Sequence, residues 1–403
     1  MHVLLSDGCA LASVQAARSL AAGGHRVDVL SPDPRCLCRF SGAVTTVHPV
    51  PRYGDDPLGW FDVALDVAAR SGAEVLLPTQ EQAAVLSLRA DRLAAAGILT
   101  AVPTFEALAQ VQDKVSADAT LRRLGLPRPP SAVITDRSGR DRWSTYPAFA
   151  KVAIATASTG VWRLDDHHGW VDVPDPTSDA PVLVEVATDG TLVMAQAVFA
   201  RGELVAFAAN TRARAGVGGG ASHKVSVDLP EGRAVIERLG RALGWHGALS
   251  ADLITTDDGP VVIDVNPRLV EPANAAAAGV DLAGTLLGVA LGDDIEVCPP
   301  GRPGVRTHQT VLALLAAAER TGRRTAIARE LAAAVFGFGA YRGGTEELTP
   351  VVRDPRSLVP VAIGVASVLA RPGSWQRFSG SAVANYSLGA PGWRHLLAEA
   401  APA

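Results

Sequence analysis

The stretch Ala251-Asp-Leu-Ile-Thr-Thr-Asp-Asp-Gly-Pro-Val-Val-Ile-Asp264-Val-Asn266-Pro-Arg268 constrains this chain more than any other. Two apolar runs flank Asp257-Asp258-Gly259-Pro260, whose residue types mark a hairpin turn. Closing that hairpin brings Asp252 close to Asp264 and Asn266. Asp264 and Asn266 are two positions apart, so on a strand they share a face. Three hard oxygen ligands on one patch suit Mg²⁺ held together with nucleotide phosphates. A sheet that only had to fill a core has no use for acids there.

The chain has 403 residues, enough for two or three domains, with 48% hydrophobic and 19% charged residues. A net charge of −4 argues against a nucleic-acid partner. The longest apolar run, Leu358–Ala370, is interrupted by Pro360 and Gly364, so neither a membrane span nor a membrane partner is expected. The N-terminus has no basic stretch ahead of its apolar run and reads as a strand. Four cysteines, at 9, 36, 38 and 298, are too scattered for a disulfide framework, and a reducing, cytoplasmic setting fits. Cys36-Leu-Cys38 lacks the second pair that a metal site needs. Lysine is scarce, occurring only at 114, 151 and 224 among 37 basic residues. These three positions suggest sites where a compact ammonium is needed in place of a planar guanidinium.

Residues 1–103 alternate strand and helix: His2–Ser6, Ala10–Ala22, Arg26–Leu30, Glu74–Leu77 and Glu81–Ala96. That alternation predicts a parallel, doubly wound sheet. The first turn, Ser6-Asp7-Gly8-Cys9-Ala10, lacks Gly-x-Gly-x-x-Gly and reads as a structural βα turn. A helix over 104–126, capped by Thr104 or Asp113, leads to the linker Pro127, Pro129, Pro130. Short strands follow at Phe149–Ile154, Val182–Val186, Thr191–Phe199 and Leu204–Asn210, then the helix Glu231–Leu243 and the hairpin. Ala273–Ala290 reads as one helix. Residues 301–403 read as a third, mixed or helical region.

Lys151 ends an apolar strand and precedes the small-residue loop 153–160, which can turn backbone N–H groups onto phosphate oxygens. The strand 182–186 offers a backbone edge to an adenine, with Glu185 as acceptor for its amino group. Arg212, Arg214, the glycines 218–220 and Lys224 read as a mobile basic loop that can close on an anion. Glu271 is placed to bind a substrate ammonium and Asn274 a carboxylate or amide, although a simple helix start also accounts for both. His308, Tyr341, Arg342, Glu346 and Glu347 are polar residues between helices, read as packing that can complete a pocket.

In this order, Asp113-Lys114, Lys151 with its loop, the Glu185 strand and Asp264-Val-Asn266-Pro-Arg268 resemble the ATP-grasp superfamily of ligases, over about residues 1–300. The resemblance implies an α/β fold: a Rossmann-like leading domain (1–103), a two-part ATP-grasp unit (104–300, with lobes at about 131–190 and 191–300) and a C-terminal region (301–403). It implies ATP with one or two Mg²⁺. Lys114, Lys151 and Ser158 would hold phosphates, and Glu185, Val186, Ala187, Thr188 and Asp189 would form the adenine hinge. Asp252, Asp264 and Asn266 would hold Mg²⁺, and Lys151 and Arg268 would act on the transferred phosphoryl group. A homodimer is also what the resemblance suggests.

The phosphate loop is poor in glycine, Leu192 stands where members often carry a ribose-binding acid, and Asp264 replaces the common glutamate. The expected chemistry is ADP-forming activation of a small-molecule carboxylate and its joining to an amine in specialised biosynthesis. The alternatives are a bicarbonate-dependent carboxylase and a non-catalytic ATP-binding regulator.

Overall fold

The computed structural model describes residues 1–156, 159–380 and 383–401. The leading region forms the parallel sheet that its strand–helix alternation predicts. Its strands β1 (His2–Leu5), β2 (Arg26–Ser31), β3 (Thr46–Pro49) and β4 (Val75–Leu77) lie in the order β3-β2-β1-β4. β1 and β4 are buried along their whole length, as expected of strands covered on both faces. The first turn is structural: Asp7 accepts from the N–H groups of Cys9 and Ala10 and from the Ser13 hydroxyl.

A second, antiparallel sheet contains β5 (Ser131–Ile134), β6 (Ala148–Val152), β7 (Val161–Leu164) and β8 (Val182–Val186), ordered β5-β8-β6-β7. The largest sheet begins with β9 (Thr191–Ala200), β10 (Glu203–Ala215), β11 (Ala221–Val227), β12 (Gly247–Thr256) and β13 (Gly259–Asn266). β14 (Arg306–His308) and β15 (Thr345–Glu346) complete it in the order β13-β12-β9-β10-β11-β14-β15. The region beyond 300 is mixed, as expected. It extends this sheet before its helices Thr310–Thr321, Arg324–Phe336 and Leu358–Ala370 pack together. The last helix, Ala390–Ala400, returns to the leading region, where Trp393 meets Phe105 at 5.6 Å between ring centres.

Three helices expected as single units are interrupted. Residues 81–96 hold two short helices that meet at Arg89. Phe105–Ala109 and Lys114–Arg123 divide 104–126, because Asp113 caps the second by accepting from the Ser116 N–H. Ala273–Ala278 stops at Gly279, whose φ of 102° breaks the helical path, and Leu282–Leu291 restarts under the Asp281 cap. Among the described residues no helix is long and apolar enough to cross a membrane.

Candidate active site

β12 and β13 form the floor. Asp252 stands directly across from Asp264, and Ser250 from Asn266. The register shifts just after Asp252, and such a bulge re-aims side chains. Asn266 shares the face of Asp264 and donates to its carboxylate at 3.4 Å. Like charges directly opposite on a sheet repel. Burial first, and then Asp264, push the Asp252 carboxyl up to about 7 from its ordinary 3.8, against the pull of Lys151 and Arg268. Among the described residues no three His, Cys, Asp or Glu side chains gather as a metal cage, so a cation here would take Asn266 as its third protein ligand.

The two upstream lysines take different places: Lys114 bonds to the loop after β6, and Lys151 lies in the strand ahead of it. Lys114 opens its helix, where its N–H donates to the Ala153 carbonyl at 2.9 Å and its ammonium to the Ala155 carbonyl at 3.2 Å. Lys151 is buried in β6. Its ammonium donates to the Ile263 carbonyl of β13 at 2.7 Å and pairs with Glu185. One charge therefore ties the smaller antiparallel sheet to the hairpin beside Asp264. Gly160 closes the loop at φ 67°, and a Cβ there would meet Val152 at 2.4 Å. Ser158 lies outside the described residues.

Glu185 departs from the expectation. It is buried and committed to Lys151, so its side chain is not an open acceptor for adenine. Burial raises its pKa, Lys151 opposes that, and Asp264 adds to it. The N–H groups of Val186 and Ala187 already donate to the carbonyls of Pro130 and Pro147. The hinge then continues through Thr188 and the exposed Asp189 into β9.

Arg268 is buried at the end of the hairpin, with its Nε 3.6 Å from Glu81. Glu81 also accepts from Gln112 at 3.0 Å and from Thr156 at 3.5 Å. The leading region thus reaches the phosphate-side loop and Arg268 through one carboxylate. In the sequence Glu81 reads only as a helix start, and its one signal is an acid in the turn after β4. Tyr386, near the C-terminus, also went unnoticed. Burial raises its phenol pKa, Arg268 opposes this, and the nearby Asp7, Glu81 and Glu271 add to it.

The supposed mobile basic loop is a β10–β11 hairpin. Arg212 and Lys224 face each other in its ladder. Arg214 is held by Glu330 through two hydrogen bonds of 2.6 Å, so it is not a free anion clamp. Lys224 is buried between Glu271 at 2.6 Å and Glu347 at 2.7 Å. Burial alone would lower its pKa, but the two carboxylates raise it above the usual lysine value. Gln309 donates to both acids. Glu271 has φ 56°, an uncommon backbone state for a non-glycine residue and a place where strain collects.

Asn274 does not face the cleft openly: it is 1% exposed and donates to Thr307 at 2.7 Å and to the Val305 carbonyl. A cavity of about 220 Å³ bounded by Phe207, Arg233, Asn274 and Pro300 includes none of the lysines, metal-type ligands or Arg268 in its lining. Glu347, expected as packing, is instead part of the Lys224 cluster. His308 meets Tyr341 edge-on at 4.9 Å and lies tilted against His223 at 5.8 Å, and Tyr341 donates to Glu330 at 2.7 Å. Glu346 accepts from Thr310, Leu348 and Thr349, whereas Arg342 is exposed.

Comparison with family models and with curated proteins gives no match. Solved structures do match. The biotin carboxylase domain of Hydrogenobacter thermophilus 2-oxoglutarate carboxylase, a dimer described with MgADP, ADP and bicarbonate, aligns at TM-score 0.59 and 15% identity, over 76% of this chain and 73% of that one. An ADP complex of N5-carboxyaminoimidazole ribonucleotide synthetase aligns at 0.61 and 14%, over 80% and 85%. The chain has the ATP-grasp fold. The N5-carboxyaminoimidazole ribonucleotide synthetase of Thermus thermophilus, at 0.57 and 18% over 76% and 81%, agrees. At such identities the likeness establishes the ATP-grasp architecture, and the chemistry has to be argued from the side chains.

Proposed function

We propose that this ATP-grasp chain is an ADP-forming ligase that activates a small-molecule carboxylate with Mg-ATP and joins it to an amine. The directly opposed Asp252–Asp264 pair carries the reading. It is an acid pair under mutual repulsion, set where the charges of Lys151 and Arg268 also act. A divalent cation bound by Asp252, Asp264 and Asn266 would relieve that repulsion and neutralise phosphate charge.

Phosphoryl transfer asks a protein for positioning and charge, with little covalent chemistry of its own. Lys114 and Lys151 hold phosphate oxygens beside the loop, and the base is received at the end of the hinge, by Thr188 and Asp189, with Glu185 held away by Lys151. A substrate carboxylate oxygen attacks the γ-phosphorus while the bond to the β-phosphate oxygen breaks, giving ADP and an acyl phosphate. Arg268 stabilises the charge on the transferred group. An amine nitrogen then attacks the acyl carbon, and inorganic phosphate and a proton leave. Glu271, set beside the buried Lys224 cluster, orients the incoming amine.

One observation favours a second reading. The similar solved structures named above are a biotin carboxylase domain and N5-carboxyaminoimidazole ribonucleotide synthetases, one described with bicarbonate. Bicarbonate would then be the carboxylate. A single assay separates the readings: Mg-ATP is mixed with pools of carboxylates and amines, and ADP, AMP, phosphate and pyrophosphate are followed. Amine-dependent ADP release with a condensed product supports the ligase. ADP release that needs bicarbonate and no other carboxylate supports the carboxylase. AMP with pyrophosphate refutes both.

A further inference from the structure

Where β11 ends at Val227, the chain turns through Asp228 and Leu229 into the helix Pro230–Ala242. That turn, the β10 residue Phe207, the helix Ala273–Ala278 and the segment around Pro300 enclose the cavity of about 220 Å³ noted above. Its lining contains no residue of the nucleotide and metal site. Phe207, Leu229 and Ala278 are buried and give it apolar walls, whereas Asp228, Pro230 and Pro300 are exposed and mark its opening. Pockets for drug-sized ligands run to roughly 300–1,000 Å³, so this one fits a smaller metabolite.

Two opposite charges line the cavity, Asp228 and Arg233. Neither pairs with the other or with any side chain among the described residues. The guanidinium is thus free to take a carboxylate with its fork of donors, and the carboxylate to accept from an ammonium. A ligand with only a carboxylate would meet its like charge in Asp228, and one with only an ammonium would meet Arg233. A molecule that carries both groups on one carbon, with an apolar side chain for the apolar walls, satisfies all of these features.

Asn274, 1% exposed, also belongs to the lining. Its Nδ2 donates to the Thr307 hydroxyl at 2.7 Å, and that hydroxyl donates to Glu347. Glu347 in turn pairs with Lys224 at 2.7 Å. One chain of hydrogen bonds therefore runs from the cavity wall to the Lys224 cluster. We propose that this cavity is a binding site for a free α-amino acid with an apolar side chain, separate from the site of phosphoryl transfer and coupled to the Lys224 cluster through Asn274 and Thr307.

Calorimetric titration of the full-length chain with leucine, valine, phenylalanine and glycine, without ATP, tests it. At least one of the three apolar amino acids should bind, and glycine should not. Arg233→Gln and Asp228→Asn should each weaken that binding by about tenfold or more, since each removes one charge-assisted contact. The 2-oxo acid of the best ligand lacks the ammonium, so it should bind wild type more weakly by a similar factor and lose nothing to Asp228→Asn. Neither substituted side chain has a partner in the fold, so the thermal midpoint without ligand should stay near wild type and exclude misfolding. Coupling is reciprocal, so Glu347→Gln, outside the cavity lining, should change the affinity by about fivefold or more, and an unchanged value overturns the link to the Lys224 cluster. No binding of any of the three, or binding that Arg233→Gln and Asp228→Asn leave intact, overturns the proposal. Binding that Glu271→Gln abolishes and Arg233→Gln leaves intact overturns it in favour of an amino acid held in the Lys224 cluster itself. The titrations use neither ATP nor turnover, so their failure and the failure of the ligase reading are distinguishable.

Discussion

Replacing Asp264 with asparagine should make the metal-free protein more stable and the enzyme inactive. The Asp252 carboxyl stands at about 7, not 3.8, as its folded-state pKa. At 1.36 kcal/mol per pKa unit its charged form is disfavoured by about 4 kcal/mol. Burial is the larger cause and Asp264 the second. Removing the Asp264 charge should therefore return about 1–2 kcal/mol above neutral pH. The sign follows from linkage. A carboxyl raised in the folded state is a destabilising charge above its folded pKa, and that cost fades as pH falls toward the unfolded value. The gain should thus be largest above pH 7 and vanish near pH 4. Denaturant melts at several pH values, with and without Mg²⁺, measure it. Wild type should gain stability from Mg²⁺ by mass action, and Asp264→Asn should not. ADP formation should fall by at least about 100-fold. An Asp264→Asn protein that is less stable than wild type at pH 8 without Mg²⁺, or that Mg²⁺ stabilises equally, would refute the reasoning.

Lys151→Ala should weaken ATP binding, and Lys151→Arg should not restore it, because a planar guanidinium cannot occupy the pocket between Glu185 and the Ile263 carbonyl. Calorimetric titration with an ATP analogue decides this, and near-normal affinity in the arginine variant counts against it. Lys224→Met leaves Glu271 and Glu347 facing each other without their cation, and chemical denaturation should show a loss of about 3–5 kcal/mol. Glu347→Gln should lower the apparent affinity for the amine more than that for ATP, measured as separate KM values; equal effects would reduce the cluster to scaffolding. Mg²⁺ affinity should decline as pH falls below about 7, where a proton competes for Asp252, and a pH-independent affinity would remove Asp252 from the metal site.

The metal-type face was legible because hairpin chemistry and strand alternation are local rules. Asp257-Asp258-Gly259-Pro260 sets the turn, and period two sets which residues meet. The leading parallel sheet was legible for the same reason. What escaped depends on distant partners. Glu81 looks like a helix start until Arg268, 187 positions later, comes to lie 3.6 Å away. Lys224 looks like a loop cation until Glu347 arrives from another region. The glycines at 218–220 suggested mobility, yet they only turn a hairpin whose strands are long and paired. Asn274 looked like a substrate ligand, and tertiary packing turned it onto β14.

The way the last quarter of the chain joins the large sheet also governs the order in which a newly made molecule can be completed. Until residue 308 has left the ribosome the edge of β11 has no β14 to cover it, and until residue 347 has followed, Lys224 has only Glu271 as a partner. The leading region waits longer still, since Leu388, Trp393 and Leu396 belong to the apolar cluster that it shares with the large sheet. Domains of most multidomain proteins finish from the N-terminus onward during synthesis. Here the leading region is among the last to close. A ribosome paused after residue 300 would hold a chain with an open sheet edge and an incomplete first core, which is the kind of nascent species that chaperones would be expected to recognise.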